Sequence, residues 1–288
     1  MAHRIIGLDI GERTIKAAVV DKALRKTTLT AVEREDIAIP GDSEAIQAAL
    51  AKILSRTRTS GDDVVMTGLS TAPCIHRVLR FPFSEPAAIA ESVSFELESH
   101  IPLNIDDLIV DHIAVGTTAD DQTAVLAVGA PETVVARRLN MLRAASAEPR
   151  VLSLATLSYA TLLGNLPTLT EGRSLVVDAG ELSTELVIVE DGEVKWARSM
   201  SIGAAAIRED FAAKFDTETI QGDLLQTHAL LLPPGVPPSQ PSEQVLHAAT
   251  VDALQPWLSE LRISMAAARR DGVKAPKQIV LTGGMAGM

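Results

Sequence analysis

The sequence predicts an α/β protein made of two similar halves around a nucleotide cleft. Three observations lead there. A buried-strand pattern ending in a glycine turn, Ile5-Ile6-Gly7-Leu8-Asp9-Ile10-Gly11, is followed by Thr14 and Lys16. The pattern returns as Leu175-Val176-Val177-Asp178-Ala179-Gly180, followed by Ser183 and Thr184. A third strand-like run, Ile279-Val280-Leu281-Thr282, ends at Gly283-Gly284. Two such turns facing each other can hold the phosphates of a nucleotide, with the third at the adenosine end.

Each element follows from local pattern. Arg4–Leu8 is an apolar run read as a buried strand, and Thr14–Asp21 alternates into a second, closing a hairpin over Asp9–Arg13. Thr27–Asp36 reads as a third strand. Ser43–Arg58 carries Ile46, Leu50, Ile53 and Leu54 at helical spacing, with Asp42 or Ser43 as N-cap. Val64–Leu69 and His76–Phe81 are strands, and Ser84 is expected to cap a helix running through His100. Leu108–Gly116 and Thr123–Ala130 read as strands, and Thr133–Ala145 as a helix. Residues from about 75 to 150 thus form a compact α+β insert. Leu152–Leu163 is expected to be a small-residue helix.

The second copy then begins. Ser174–Val177 and Thr184–Glu190 repeat the opening hairpin, and Glu193–Met200 follows the Asp191-Gly192 turn. Ile207–Phe215 and Asp223–Leu231 read as helices, and the proline-rich Leu232–Ser242 as a spacer. Gln244–Asp271 is expected to be a long helix or a pair interrupted at Pro256, and Gln278–Leu281 a last strand. Strand–turn–strand–strand followed by helices, written twice, describes the actin-like (ribonuclease H-like) fold. The expected domains are residues 1–171, with the insert, and residues 172–288, whose last motif ends close to Met288 as if cut short.

Composition excludes several classes. The 288 residues suffice for one or two domains with real cores. A net charge of −11 argues against a nucleic-acid-binding face. The single cysteine, Cys74, excludes an internal disulfide framework and fits a reducing compartment. No Cys or His cluster has metal-ligand spacing, and Met1-Ala2-His3-Arg4 leads into a strand without a signal-peptide pattern. No apolar run is long enough to span a bilayer.

The turns carry the candidate chemistry. Gly11 lets the backbone turn and present amide N–H groups to an anion, Thr14 offers a hydroxyl, and Lys16 offers a charge. Asp9 repels a phosphate directly, so Mg2+ with its water shell would bridge them. The same logic assigns Asp178, Gly180, Ser183 and Thr184, with Asp178 as the second Mg2+ neighbour. Each motif alone could be an ordinary hairpin turn; the ordered pair plus Gly283 and Gly284 favours the nucleotide fold. Hydrolysis needs a residue that positions water, and Glu181 is the candidate by position against the plainer reading of a solvated turn glutamate. Trp196 and Trp257 stand alone and mark no sugar pocket.

Between the two copies lies an acidic helix. It carries Glu91, Glu96 and Glu98 and ends at Ile101-Pro102, before Asp106, Asp107 and Asp111. A solvated face explains these charges by physics alone; a docking surface for a basic peptide is the functional alternative. The scattered histidines read as structural or exposed.

At these residues the chain resembles the PilM/GspL group, the actin-like components of type IV pilus and type II secretion assembly platforms. The resemblance rests on Gly7-Leu8-Asp9-Ile10-Gly11 with Thr14-Ile15-Lys16-Ala17, on Phe95-Glu96-Leu97-Glu98 with Ile101-Pro102-Leu103 and Asp111, on Ala127-Val128-Gly129-Ala130-Pro131, and on Leu281-Thr282-Gly283-Gly284. The insert is shared in place with the cell-division protein FtsA. The resemblance implies an adaptor at the cytoplasmic face of the bacterial inner membrane, holding ATP and Mg2+. It implies membrane partners of the PilN or GspM type and an assembly ATPase of the GspE type, and it leaves a homodimer open. Phe81-Pro82-Phe83-Ser84-Glu85-Pro86 leans toward the secretion branch, where a transmembrane helix would follow the domain. Glu12 and Arg13 depart from the small residues usual in the first turn, and Leu182 does so in the second. An active ATPase or kinase, and an FtsA-like filament former, are the alternatives.

Overall fold

The computed structural model describes residues 3–24, 26–118, 120–166, 172–215 and 228–287. The chain divides into two compact units, residues 1–170 with 192–194 and residues 171–191 with 195–288.

In the first unit β1 (His3–Ile10) pairs antiparallel with β2 (Thr14–Ala23), and β3 (Lys26–Asp36) forms the sheet edge beside β2. β4 (Val64–Leu69) runs parallel to β1. Along β2 the residues Ile15, Ala17 and Val19 are buried at every second position, which puts one face of the hairpin on the core. Helix α1 (Ser43–Thr57) covers that face with Ala49, Leu50, Ile53 and Leu54. Its N-cap is Asp42, whose carboxylate accepts the Ala45 N–H at 2.8 Å.

The chain then builds a separate three-stranded sheet. β5 (Ile75–Phe81), α2 (Pro86–Glu98), β6 (Leu108–Thr117) and β7 (Thr123–Pro131) give the order β5-β7-β6, all antiparallel. Ile89, Val93 and Leu97, one helical turn apart on α2, pack on Leu79, Phe81, Val125 and Ala127. The expected cap at Ser84 is corrected: Glu85 is the N-cap, its side chain makes no capping bond, and Pro86 opens the helix. Helix α3 (Glu132–Ala144) follows β7 without a loop and returns to the first sheet, where Leu142 packs with Leu50 and Ile53.

The helix expected over residues 152–163 starts instead with a strand. β8 (Val151–Leu154) pairs in parallel with Met66–Leu69, and only then does α4 (Ala155–Gly164) begin. Strand pairing decides the state of those residues, since helical and strand patterns are alike over so short an apolar run. Gly68 permits this crossing: a Cβ there would sit 3.0 Å from the Cα of Ala155. The complete order is β3-β2-β1-β4-β8.

In the second unit β9 (Arg173–Ala179), β10 (Thr184–Glu190), β11 (Glu193–Met200) and β12 (Gln278–Thr282) form a sheet of order β11-β10-β9-β12. This repeats β3-β2-β1-β4, with β12 parallel to β9 as β4 is to β1. Asp191 and Gly192 both take positive φ, 54° and 77°, as a two-residue hairpin turn requires. Helices α5 (Ala204–Ala212) and α6 (Pro241–Arg270) contribute Ile207, Phe211, Ala253 and Trp257 to a core with Leu175, Val177, Leu186 and Ile188. Both tryptophans belong to this core; Trp196 Nε1–H donates to Asp271 and Trp257 Nε1–H to Thr184.

Helix α6 takes the first of the two expected forms, one long helix. It runs unbroken through Pro256, which removes one intrahelical donor without ending the helix. The helix expected over residues 223–231 lies largely outside the described residues. At its described end, where residues 229–231 are not helical, the Leu230 N–H donates to Thr250 Oγ1 at 3.0 Å, and just past it the Leu232 N–H donates to His247 Nδ1 at 3.1 Å, so His247 serves the backbone. Among the described residues, no helix is long and apolar enough to cross a membrane.

Candidate functional site

The two glycine turns are the same structure made twice. In the first, Asp9 faces Lys16 and Ile10 faces Ile15 across the hairpin, and the Gly11 N–H donates to Thr14 O at 3.1 Å. In the second, Asp178 faces Glu185 and Ala179 faces Thr184, and the Gly180 N–H donates to Ser183 O at 3.0 Å. Thr14 therefore corresponds to Ser183, Glu12 to Glu181, and Lys16 to Glu185. Both glycine amides close their own turn, which leaves anion binding to other groups.

The first turn is open. Asp9, Gly11, Glu12, Arg13 and Lys16 are exposed and Thr14 is half-buried. Lys16 Nζ lies 3.3 Å from Asp9 Oδ2, placed there by the cross-strand register. The Arg13 carbonyl accepts the Ile37 N–H at 2.8 Å, which fastens the turn to the residue after β3. Arg138 of α3 reaches the turn from behind, its guanidinium donating to Ile10 O at 3.4 and 3.5 Å. Burial pushes Arg138 below the ordinary arginine value, while the charges of Asp9 and Glu12 oppose that shift.

The second turn is built into its core. Thr184 is completely buried, and its hydroxyl donates to Ile202 O and accepts from Trp257 Nε1. This withdraws Thr184 from the phosphate-facing set: its oxygen is used inside the fold. Glu185 is buried, its Oε1 accepting from Ser199 Oγ at 3.2 Å and Ser183 Oγ at 3.4 Å. Glu181 forms an ion pair with Arg208 of α5. The first two amides of α5 point at the same turn; Ala204 N–H donates to Gly180 O and Ala205 N–H to Glu181 O, each at 2.9 Å. Gly203 makes this approach feasible, because a Cβ there would lie 2.5 Å from Glu181 O.

The third motif meets the second. Thr282 pairs with Asp178, and Gly283, at φ 92°, packs so closely that a Cβ would lie 2.4 Å from Ala179 O and 2.5 Å from Asp178 Oδ1. Gly284 is exposed and opens a short 3-10 turn.

The fold implies a nucleotide with Mg2+, and the side chains fit such a group on stated terms. Each turn brings a cationic side chain, Lys16 or Arg138 in one and Arg208 in the other. Each also brings carboxylates, which a phosphate would tolerate only through a bridging cation. Among the described residues no group of three or more His, Cys, Asp or Glu is arranged to hold a metal ion. Asp9 in the first turn and Asp178 in the second are each a turn carboxylate, the kind of group that meets Mg2+ through its water shell.

On the insert, Glu91, Phe95 and Glu98 fall on one exposed face of α2. Phe95 is 77% exposed, an unusual state for a phenylalanine. Glu96 is tied to His100 at 3.1 Å, and Ile101 packs against the α2 core, so of the Ile-Pro corner only Pro102 is fully at the surface. Sequence reasoning used Phe95 only as part of the family motif and did not assign it to the docking face, although its spacing from Glu91 and Glu98 was a usable signal. It also missed Arg138, Arg208 and Gly203, which no local pattern marks.

These features define an actin-like fold with two glycine turns. The chain belongs to the PilM family: the family described as type IV pilus assembly protein PilM matches residues 7–288. The matched family carries the pilus description, whereas residues 81–86 lean toward the secretion branch. The sequence finds no match among curated proteins. Among solved structures, a PilM-PilN type IV pilus biogenesis complex is similar over 98% of this chain and 82% of that chain, at 23% identity and a TM-score of 0.73. MreB5 of Spiroplasma citri bound to ADP is similar over 99% of this chain and 85% of that one, at 15% identity and a TM-score of 0.53. The cytoplasmic domain of EpsL, an inner membrane component of the type II secretion system of Vibrio cholerae, aligns over 88% of this chain and 98% of that one, at 14% identity and a TM-score of 0.46.

Proposed function

We propose that this chain is a nucleotide-binding adaptor of a type IV pilus assembly platform, working at the cytoplasmic face of the inner membrane. Membership of the PilM family over residues 7–288 is the observation that carries this reading. Residues 1–171 form the first actin-like half, with the insert, and 172–288 the second. Asp9, Gly11, Thr14 and Lys16 serve one phosphate turn; Asp178, Gly180 and Ser183 serve the other, with Gly283 and Gly284 at the adenosine end. These turns would hold the phosphates of MgATP, whose charge the cationic side chains at each turn would offset. Asp9 in the one turn and Asp178 in the other would meet a bound Mg2+ through its water shell.

The ADP-bound MreB5 structure supports a nucleotide ligand for this fold. Membership of an assembly-protein family supports binding without turnover, and Glu181, ion-paired with Arg208, is the residue that would have to position water for hydrolysis. The PilM-PilN complex supports a PilN-type partner. The α2 face of Glu91, Phe95 and Glu98, with Glu96, Ile101 and Pro102 beside it, offers that partner an aromatic anchor inside a ring of negative charge. The chain links such membrane partners, of PilN or GspM type, to an assembly ATPase of GspE type. Affinity purification of the tagged protein from its own cells is expected to recover pilus-platform components of the inner membrane. Recovery of the intact protein without any of them would overturn the adaptor role.

A further inference from the structure

The proline-rich stretch that leads into α6 is built as a display rather than as a spacer. It carries Pro233, Pro234, Pro237, Pro238 and Pro241, and every residue from Pro233 to Ser242 is exposed. Leu231 and Val236 stand 58% and 50% exposed beside these prolines. No charged side chain occurs from Ala229 to Ser242. A spacer needs length and solubility, which glycine and serine supply without apolar side chains in water.

Main-chain bonds fix the stretch. The Leu230 and Leu232 N–H groups donate to Thr250 Oγ1 and His247 Nδ1 of α6. The Val236 N–H donates to Pro233 O at 3.1 Å, closing a β-turn whose third residue, Gly235, has a φ of 81°. The Ser239 N–H donates to Glu243 Oε2 at 2.6 Å, in the first turn of α6. All four bonds use backbone donors of the stretch and leave the prolines, Leu231 and Val236 at the surface. Proline fixes its own φ and keeps the residue before it extended. Leu232-Pro233-Pro234 and Val236-Pro237-Pro238 are therefore two short polyproline arms of one composition, joined at the turn. Apolar surface continues onto α6, where Val245, 57% exposed, lies one helical turn after Pro241.

A polyproline strand has no internal hydrogen bonds and loses little entropy on docking, and the sites that take one are grooves lined by aromatic rings. The absence of charge argues against an anionic lipid surface, a nucleic acid or a charged peptide groove as the partner. We propose that residues 231–241 are a docking epitope for a partner protein with a groove lined by tryptophan and tyrosine, which takes Val236-Pro237-Pro238 as a preformed strand. The epitope belongs to the second unit, whereas α2 belongs to the first, and it depends on neither nucleotide nor a PilN-type tail.

Photo-crosslinking in the protein's own cells tests it. Gln240→p-benzoylphenylalanine puts the probe beside the Val236 arm without altering that arm, and Leu24→p-benzoylphenylalanine, at a fully exposed site of the first unit, is the control. Light is expected to join the probe at position 240 to one other protein, at a peptide bearing Trp or Tyr. Adding Pro237→Ala and Pro238→Ala is expected to cut that yield by roughly tenfold, as two stiff residues and their contacts are lost. Val236→Asp, with the prolines kept, is expected to do the same by carrying a charge into an apolar groove. Both changes fall on exposed side chains, and each variant is expected to melt as the wild type does. No adduct beyond the control overturns the proposal. So does an adduct with a second copy of this chain, an adduct at a peptide without Trp or Tyr, or a yield that survives both sets of substitutions.

Discussion

The first turn and the second share a backbone and differ in what surrounds it. Residues Asp9 to Lys16 lie largely in solvent, with an exposed Asp9–Lys16 pair that contributes at most about 1 kcal/mol. In the second copy the position of Ile15 is held by Thr184, and that of Lys16 by a buried Glu185. Gly203 and Gly283 press backbone against the second turn, and nothing comparable crowds Gly11. A turn of one shape is thus held in two ways: by a hairpin register with bonds to Ile37 and Arg138, or by packing on three sides. The first can adjust to what it binds; the second gives a fixed reference.

The sharpest way to break this contrast is to add a methyl group. Gly283→Ala places a Cβ 2.4 Å from a backbone oxygen at a φ of 92°, whereas in Gly11→Ala the nearest contact is Thr14 O at 3.2 Å. Urea unfolding should show the second unit losing about 3 kcal/mol or more in Gly283→Ala, from overpacking plus backbone strain. Gly11→Ala should lose under about 1 kcal/mol, because the crowding is slight. Equal losses would contradict the asymmetry.

A buried hydroxyl gives the next largest effect. Thr184→Val leaves Trp257 Nε1 and Ile202 O without their shared partner, and about 1–3 kcal/mol of stability should be lost. The equivalent change in the first copy, Ile15→Val, removes one methylene and should lose about 1 kcal/mol. Thermal unfolding of the two variants measures the difference.

Phe95→Ala tests a region outside both turns. It should weaken binding of a PilN-type cytoplasmic tail by roughly tenfold or more, as expected for an aromatic anchor, and leave MgATP affinity and unfolding unchanged. Surface plasmon resonance with the immobilised tail reads the first quantity; full-strength binding by the variant would remove Phe95 from the interface.

The smallest effect is in acid. Hydrogen bonding to Arg56 holds Glu35 below the usual glutamate value in the first unit, and Arg173 does the same for Glu190 in the second. Both carboxylates are easier to ionise in the folded state, so their stabilisation is present above the unfolded glutamate value near 4.5 and fades as pH falls through the lower folded values. Melting curves between pH 5 and about pH 3 should show this decline reduced in Glu35→Gln and Glu190→Gln. An unaltered slope in both variants would rule it out.

The repeat that organises the molecule was legible because it is local. A run such as Leu175-Val176-Val177-Asp178-Ala179-Gly180 carries both its strand and its stop, and the order β3-β2-β1-β4 recurs from the same pattern. What stayed hidden depends on distant pairing. Arg138 meets Ile10 across 128 residues, and no spacing announces such a contact. Residues 152–154 look helical until Met66–Leu69 supplies a strand to pair with. Thr184 reads as a phosphate hydroxyl until Trp257, far along α6, claims it.

The proposed adaptor role requires that this chain hold a nucleotide without turning it over. Stoichiometric MgATP binding measured beside steady-state phosphate release, on one preparation, tests it most directly. The account predicts saturable binding with phosphate release at the level of the buffer. Sustained release well above that level, abolished by Glu181→Ala, would contradict it and make the protein an ATPase.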